Sequence, residues 1–241
     1  MPKEFVLVHG AMHGAWCWED VAARLAAKGH RVVVPELPGH GRRATEVRRA
    51  SADAYGRAVA DAMAQAGVSH AVLVGHSMGG LVIAKAAELC PERIAHLVFL
   101  AAVVPAHGSS LAEANMTAPA QAALRAHVVG RGDGTFCHSA ETAWARWMAD
   151  LPRSDPRVAR ALSLLTPQAA RPFFERVDLH RFDALRIPRT YIRCTRDAAV
   201  IPPRAAANAA RLGVKPVDMD SAHAPMLSKP DELVRLLTRI A

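Results

Sequence analysis

The stretch that decides the fold reads Gly75-His76-Ser77-Met78-Gly79. It follows a short apolar run, Ala71–Val74, and precedes an apolar helical stretch, Leu81–Leu89. A serine in a G-x-S-x-G pattern between a strand and a helix occupies a tight turn, which requires small residues two positions before and after it. The pattern therefore predicts that Ser77 projects its hydroxyl group from the edge of a sheet, beside a helix N-terminus that favours developing negative charge.

Short apolar runs alternate with alanine-rich helical stretches on both sides of this turn. The predicted strands are Phe5–Val8, Arg31–Val34, Ala71–Val74, one within Ile94–Val104, Thr190–Cys194 and Val214–Met219. The predicted helices are Asp20–Lys28, Asp53–Ala66, Leu81–Leu89, Pro203–Leu212 and Asp231–Ile240. This alternation predicts an α/β fold, with a parallel sheet of about six strands and helices on both faces. Residues from about 106 to 176 break the rhythm, and we predict that they form a small cap inserted into a single domain spanning residues 1–241.

A serine hydroxyl is a poor nucleophile unless a base activates it. In proteins with this turn the partners follow in the order Ser, then Asp or Glu, then His. His223 comes just after the last predicted strand, and Asp197 comes just after the fifth. We therefore predict Ser77 as nucleophile, His223 as base and Asp197 as the acid that orients the base. Asp218 and Asp220 are rival acids that lie closer to His223 in sequence, but on the last strand or at its end.

An oxyanion hole needs two backbone N–H donors. One is predicted to be the N–H of Met78, the residue after the nucleophile, and the other the N–H of Ala11, in the loop after the first strand. Gly10 would let that loop approach a substrate closely. His9 and His13 lie in the same loop, where we expect them to fix the backbone by hydrogen bonds rather than to act in catalysis. Gly10 and His13 are also candidates for the substrate pocket.

Aromatic residues of the predicted cap are further candidates for the substrate pocket. They are Trp144, Trp147, Phe173 and Phe174. Such residues would provide an apolar wall around a small hydrophobic ester. They would equally well form the core of the cap itself, and the sequence leaves both interpretations open.

The composition narrows the function classes. The chain of 241 residues carries a net charge of +8, but Lys and Arg are scattered and no nucleic-acid-binding motif accompanies them, so we expect no nucleic-acid partner. No apolar run reaches the roughly 18 residues of a membrane span, and the N-terminus lacks a signal-peptide pattern, which together predict a cytoplasmic protein without a membrane partner. The four cysteines (Cys17, Cys90, Cys137 and Cys194) include no CxxC pair, which predicts free thiols and no metal site.

Three segments of the chain carry a family resemblance. They are Phe5–Trp18, Leu73–Gly80 and Tyr191–Asp197. In these segments the sequence resembles the plant methylesterase and hydroxynitrile lyase group of the α/β-hydrolase fold, together with its bacterial carboxylesterase relatives. The resemblance implies a six-stranded parallel sheet, a small cap, no cofactor and small hydrophobic ester substrates. It also implies a homodimer, which is frequent in the group.

The same group contains esterases and lyases, and three positions separate them. In the related lyases, the resemblance implies a threonine at position 10, a glutamate at position 76 and a lysine at position 224. This chain has Gly10, His76 and Ala224 at those positions. Ala224 supplies no cation for a departing cyanide ion. These residues therefore predict a carboxylic ester hydrolase that forms an acyl-enzyme. The alternatives are a hydroxynitrile lyase or another enzyme that cleaves C–C or lactone bonds with the same triad, a polyketide-type thioesterase, and a small-ligand-binding protein.

Overall fold

The structure is a computed structural model that describes residues 2–240; Met1 and Ala241, the ends of the predicted domain, lie outside the described residues. Its strands are β1 (Glu4–Val8), β2 (Arg31–Val33), β3 (Ala71–His76), β4 (Ile94–Leu100), β5 (Thr135–Phe136), β6 (Gln168–Ala169), β7 (Arg189–Cys194) and β8 (Val217–Met219). Its helices are α1 (Glu19–Ala27), α2 (Ala52–Gln65), α3 (Gly79–Leu89), α4 (Leu111–Asn115), α5 (Ala118–Arg131), α6 (Ala140–Trp147), α7 (Pro156–Leu164), α8 (Arg171–Phe174), α9 (His180–Ala184), α10 (Pro202–Arg211), α11 (Pro225–Ser228) and α12 (Pro230–Ile240).

Within residues 2–240, six strands form one parallel sheet in the order β2-β1-β3-β4-β7-β8. This confirms the predicted parallel sheet of an α/β-hydrolase fold. The central strands β1 and β3 are buried on both faces, which explains why they are continuous apolar runs rather than alternating ones. Because all the strands are parallel, their carboxyl ends meet at one edge, where ligands bind in open α/β sheets.

The hydrophobic core has one layer on each side of the sheet. Val6, Val8 and Leu73 belong to the layer covered by α2 and α3. Phe5 and Leu7 belong to the layer covered by α1 and α12. Adjacent side chains of β1 therefore enter opposite layers, as the two-residue period of a strand requires.

Glycines permit the tight turn between β3 and α3. A Cβ on Gly75 would lie 2.4 Å from the carbonyl oxygen of Gly79, and a Cβ on Gly79 would lie 3.0 Å from the carbonyl oxygen of Val8. Real Cβ atoms do not approach backbone oxygens as closely as 2.4 Å, so the first residue of α3 can lie against the end of β3 only when residue 75 has no side chain. Steric contacts with the backbone thus explain why both Gly75 and Gly79 of the G-x-S-x-G pattern are glycines.

The segment between β4 and β7 contains α4 to α9 and a separate antiparallel ladder. In that ladder Thr135 pairs with Ala169 and Phe136 pairs with Gln168. The sequence holds no pattern that predicts these two strands, because two residues are too few to show alternation. Trp144 and Trp147 both lie on α6.

All four cysteines are free thiols, and three of them (Cys17, Cys90 and Cys194) are buried. Burial raises the pKa of the Cys90 thiol to about 11 and that of the Cys194 thiol to about 12. None of the helices in residues 2–240 is both long enough and apolar enough to cross a membrane.

The glycine contacts generate a prediction for stability. Gly75→Ala should lower the free energy of unfolding by about 3 kcal/mol, because the added methyl group overlaps the backbone of Gly79 and forces β3 and α3 apart. Gly130→Ala is the matched control, since a Cβ on Gly130, inside α5, meets no atom within 4 Å. Urea unfolding followed by circular dichroism measures both variants. Equal stability of the two variants would contradict the close-packing argument.

Candidate active site

Ser77 lies in the turn between β3 and α3 with a φ of +56°, in the left-handed region of backbone conformation. Such a conformation costs a non-glycine residue about 1–3 kcal/mol unless its surroundings enforce it. Here the Ser77 N–H donates to the carbonyl oxygen of Leu100 at 3.0 Å, and the Ser77 carbonyl oxygen accepts from the N–H of Gly80 at 3.0 Å. The strained turn is therefore held by β4 on one side and by the first turn of α3 on the other. Its serine is only half-buried.

His223 and Asp197 form a buried pair at the same edge of the sheet. The Nδ1–H of His223 donates to Oδ2 of Asp197 at 2.7 Å, and both side chains are 1% exposed. The other oxygen of Asp197 accepts from the N–H groups of Ala199 and Val200 at 2.7 and 2.8 Å. Both oxygens of the carboxylate therefore accept hydrogen bonds. A proton on Nδ1 leaves the lone pair of His223 on Nε2, which is the tautomer that a general base requires.

The two rival acids point into different surroundings. Asp218 forms a two-pronged ion pair with Arg193, with distances of 2.6 and 2.7 Å. Asp220 pairs with Arg196 at 2.9 Å and with Lys229 at 3.3 Å. Both carboxylates are exposed, and the structure joins neither of them to His223. Of the three candidate acids, Asp197 is the one in contact with the imidazole.

The loop that carries His223 is tied to the segment between β4 and β7. The N–H of Ala224 donates to the carbonyl oxygen of Trp147 at 3.0 Å. The N–H of Ala222 donates to Oδ2 of Asp150 at 3.0 Å. Asp150 is a positioning residue that the sequence analysis missed, because its contact spans 72 residues and an isolated aspartate after a helix carries no signal.

His76 connects the serine turn with the histidine loop. Its Nε2–H donates to the carbonyl oxygen of His223 at 2.9 Å, and the two rings lie 4.6 Å apart. The residue next to Ser77 is therefore in direct contact with the predicted base. At position 76, where the resemblance implies a glutamate in the lyases, the histidine of this chain holds the loop of His223 by a neutral hydrogen bond. At position 224 this chain has a fully buried alanine.

The predicted oxyanion donors are both available. Among the described residues, neither the N–H of Ala11 nor that of Met78 donates a hydrogen bond. Gly10 lies directly against the serine turn, since a Cβ on it would be 2.9 Å from Cβ of Ser77 and 3.0 Å from Nδ1 of His76. The small residue at position 10 thus permits contact between the two halves of the predicted hole. The substrate approach expected at Gly10 stays a prediction.

His9 and His13 hold the loop after β1 from inside. The Nδ1–H of His9 donates to the carbonyl oxygen of Gly10 at 2.9 Å, and the Nδ1–H of His13 donates to that of Ala11 at 2.8 Å. Nε2 of His9 accepts the N–H of Leu37 at 3.3 Å. Both imidazoles are buried and engage the two carbonyl groups that flank the Ala11 N–H, so they act on the orientation of that peptide.

The aromatic candidates divide into two pairs. The ring of Trp147 lies 4.9 Å from that of His13, and Phe173 packs against core layers on both sides of the sheet. The structure therefore brings Trp147 to the predicted site. Trp144 donates its indole N–H to the carbonyl oxygen of Leu151 at 3.0 Å, and Phe174 lies under the guanidinium of Arg125 at 3.9 Å. These two side chains are engaged within the segment between β4 and β7.

Burial keeps the histidines around the site neutral. It lowers the pKa of His13 to about 4, and it lowers the pKa values of His9 and His76 well below the usual value for an imidazole. The main cause is desolvation, which penalises the charged form, and the neighbouring imidazoles lower the values further. These three rings are consequently uncharged hydrogen-bonding groups.

Comparisons with known proteins identify the family of the chain. A family model described as the alpha/beta hydrolase family matches residues 5–236. The chain is 47% identical over 113 residues to the probable esterase PIR7A of Oryza sativa subsp. indica, an alignment that covers 45% of this chain and 42% of the rice protein. In this alignment the chain thus spans less than half the length of the rice protein. It is 30% identical over 250 residues to Methylesterase 7 of Arabidopsis thaliana, covering 99% of this chain and 96% of that protein.

Among solved structures, the chain is similar to an extracellular alpha/beta-hydrolase from a Paenibacillus species. That protein is described as sharing structural and functional homology with tobacco salicylic acid binding protein 2. The TM-score is 0.91 at 26% sequence identity, and the match covers 100% of this chain and 99% of the other. The resemblance to plant methylesterases and their bacterial relatives, predicted from three segments, is confirmed.

The contact between His223 and Asp197 generates a prediction for activity. Asp197→Asn should lower kcat for an ester substrate by about 10³–10⁴-fold, because an amide N–H₂ facing Nδ1 favours the wrong tautomer of His223. Asp218→Asn and Asp220→Asn are matched controls on the surface and should retain kcat within about threefold. Steady-state kinetics with a p-nitrophenyl ester measures all three. A severe loss in either control variant would overturn the assignment of the acid.

The buried histidines generate a prediction for stability against pH. Their folded-state pKa values are lowered, so the unfolded chain binds more protons than the folded one between about pH 4 and 6.5, and stability falls as the pH falls through that window. Each histidine should contribute about 1–2 kcal/mol of loss between pH 7 and 5. Urea unfolding at pH 7, 6 and 5 measures the slope. It should be smaller in His13→Gln and unchanged in His127→Gln, which alters an exposed residue on α5. A flat profile for the natural chain would refute the argument.

Proposed function

The chain belongs to the alpha/beta hydrolase family, and on that premise we propose that it is a carboxylic ester hydrolase with a Ser77–His223–Asp197 triad. The observation that supports this most strongly is the buried 2.7 Å hydrogen bond between His223 and Asp197, located beside the strained turn that presents Ser77. The relatives named as an esterase and a methylesterase support ester chemistry rather than another use of the triad.

In the first step the Ser77 hydroxyl oxygen attacks the ester carbonyl carbon while Nε2 of His223 takes the hydroxyl proton. The negative charge that develops on the carbonyl oxygen is stabilised by the N–H groups of Ala11 and Met78, which have no other acceptor among the described residues. Asp197 stabilises the imidazolium and does not itself become protonated. The tetrahedral intermediate then collapses, and His223 gives its proton to the leaving alcohol.

In the second step a water molecule attacks the acyl-enzyme. His223 takes a proton from the water, the same two N–H groups hold the oxyanion, and Ser77 leaves with the proton that His223 returns. The neutral state of His13 and His76 supports this role, because neither of these rings adds a positive charge that would compete with the imidazolium of His223 for the carboxylate of Asp197.

The substrate is proposed to be a small, hydrophobic ester. Trp147 and Phe173 supply apolar surface next to His13 and the core, and the segment of about residues 106–176 acts as the cap of a single domain. Hydroxynitrile lyase chemistry is disfavoured because position 224 carries no cation and His76 is engaged with the backbone of His223. A thioester or a lactone would pass through the same acyl-enzyme, so comparison of these substrates defines the preferred leaving group.

The proposal predicts the effect of removing one hydroxyl group. Ser77→Ala should lower kcat by about 10⁴-fold or more. It should unfold at the same urea concentration as the natural chain, since Ser77 is half-buried and its side chain makes no hydrogen bond to another residue between positions 2 and 240. Labelling by a fluorophosphonate probe should disappear in Ser77→Ala and persist in the control Ser163→Ala, an exposed serine on α7. Activity within tenfold of the natural chain would exclude Ser77 as nucleophile.

The natural chain is tested in parallel with a panel of p-nitrophenyl and methyl esters that vary in acyl and alcohol size. Ester turnover should be clear, while mandelonitrile should release cyanide no faster than in buffer. Cyanide release at a rate comparable to ester turnover would replace the esterase proposal by a lyase. Ligand binding without probe labelling or turnover would replace it by a binding protein.

A further inference from the structure

Met12, the residue after the predicted oxyanion donor Ala11, is held in a strained conformation. Its φ is +62°, in the left-handed region, and its side chain is buried. A bulky non-glycine residue adopts this region only when its surroundings enforce it. The conformation of Met12 sets the direction of the chain on either side of it, including the segment that carries the Ala11 N–H.

Both peptide groups of Met12 are held by one short stretch of the segment between β4 and β7. The Met12 N–H donates to Oε1 of Gln168 at 3.2 Å. The N–H of Thr166 donates to the Met12 carbonyl oxygen at 2.9 Å. Gln168 itself lies on β6, where its backbone pairs with Phe136 of β5. The loop after β1 is therefore attached to an element more than 150 residues away in the chain.

The amide of Gln168 is completely buried, and every one of its polar positions is used. Oε1 accepts from Met12 and from Nε2–H of His40 at 2.8 Å. The amide nitrogen donates to the hydroxyl oxygen of Tyr55 at 3.2 Å and to the carbonyl oxygen of Ala169 at 3.1 Å. Because the Met12 N–H can only donate, the oxygen must face it, which fixes the orientation of the amide and places the proton of His40 on Nε2.

We propose that Gln168 is a positioning residue for the oxyanion hole: its buried amide holds Met12 in the left-handed conformation and thereby directs the Ala11 N–H towards the substrate oxygen. Without the acceptor, the Met12 N–H would be left unpaired in a buried place, and the loop would gain by relaxing towards an ordinary conformation. A shift of about 1 Å in a donor is enough to weaken catalysis strongly. This inference rests on the proposed ester hydrolysis, since it assigns the role of the loop in that reaction.

An oxyanion donor acts more strongly in the transition state than in the ground state, so its misplacement lowers kcat rather than substrate binding. Gln168→Met keeps the volume and removes the acceptor. We expect kcat to fall by about 10- to 100-fold while KM changes by less than about threefold, a loss smaller than or comparable to that for removal of a donor itself. Gln168→Glu retains an acceptor oxygen for Met12 and, when its buried carboxyl group is protonated, an O–H donor for the Ala169 carbonyl oxygen. In that protonated state it should keep kcat within about fivefold of the natural chain.

The matched control is Asn208→Leu. Asn208 is another buried amide whose oxygen accepts a backbone N–H, that of Val104 at 2.8 Å. The Asn208→Leu variant should lose about as much stability as Gln168→Met but keep kcat within about threefold of that of the natural chain. A trifluoromethyl ketone, which forms an oxyanion adduct with a serine, should bind about 10- to 100-fold more weakly to Gln168→Met, while the matching methyl ketone should bind equally to both proteins.

Amide hydrogen exchange gives a readout that does not depend on turnover. Exchange in residues 9–14 should accelerate in Gln168→Met and remain unchanged in Asn208→Leu. Unchanged exchange, or a fall in kcat that is equal in Gln168→Met and Asn208→Leu, would overturn the inference while leaving the proposed function intact. Failure of the proposed function is recognised separately, because the Ser77→Ala variant would then retain full ester turnover.

Discussion

The close contact of Gly75 with the backbone of Gly79 is the constraint on which the rest of the site depends. A Cβ at position 75 would lie 2.4 Å from a carbonyl oxygen, so only glycine allows α3 to begin two residues after Ser77. The short turn forces Ser77 to a φ of +56°, and hydrogen bonds to β4 and within α3 hold it there. The serine then lies at the carboxyl edge of the central strand.

Because Ser77 lies at the carboxyl edge of the sheet, the other residues of the site must lie in loops that open at the same edge. The loops that follow β1, β7 and β8 open at the same edge, and they carry Ala11, Asp197 and His223 respectively. Their separation along the chain, from position 11 to position 223, therefore becomes proximity in space through the order of the strands rather than through any local motif. The hydrogen bond from His76 to the His223 backbone joins the end of β3 directly to the loop after β8.

The histidines that surround the His223–Asp197 pair are neutral polar groups in a buried region. An uncharged imidazole has one donor and one acceptor, and His9 uses both to satisfy a carbonyl group and an N–H group without the desolvation cost of a charge. His13 and His76 each make one such bond and leave their second nitrogen without a partner among the described residues. Their burial lowers the pKa values of these rings and so favours their neutral form.

Local patterns in the sequence determined much of the fold and the identity of the three triad candidates. The G-x-S-x-G pattern and the strand–helix alternation are local, because they arise from the steric needs of one turn and from the period of each element, and the predicted sheet of six strands is confirmed by the structure. The choice of Asp197 over Asp218 and Asp220 also had a sequence basis, the position after β7, and the structure supplies its contact with His223.

Only the tertiary structure decided which side chains hold the site in place. Gln168 and Asp150 contact the loops after β1 and β8 across 156 and 72 residues, and β5 and β6 are too short to leave a pattern. Likewise, Trp147 lies against His13 whereas Trp144 donates to the Leu151 backbone. This difference depends on the direction of each ring on α6, which the sequence does not show. Such contacts form because distant segments meet after the sheet is assembled, and a sequence records the residues without recording those meetings.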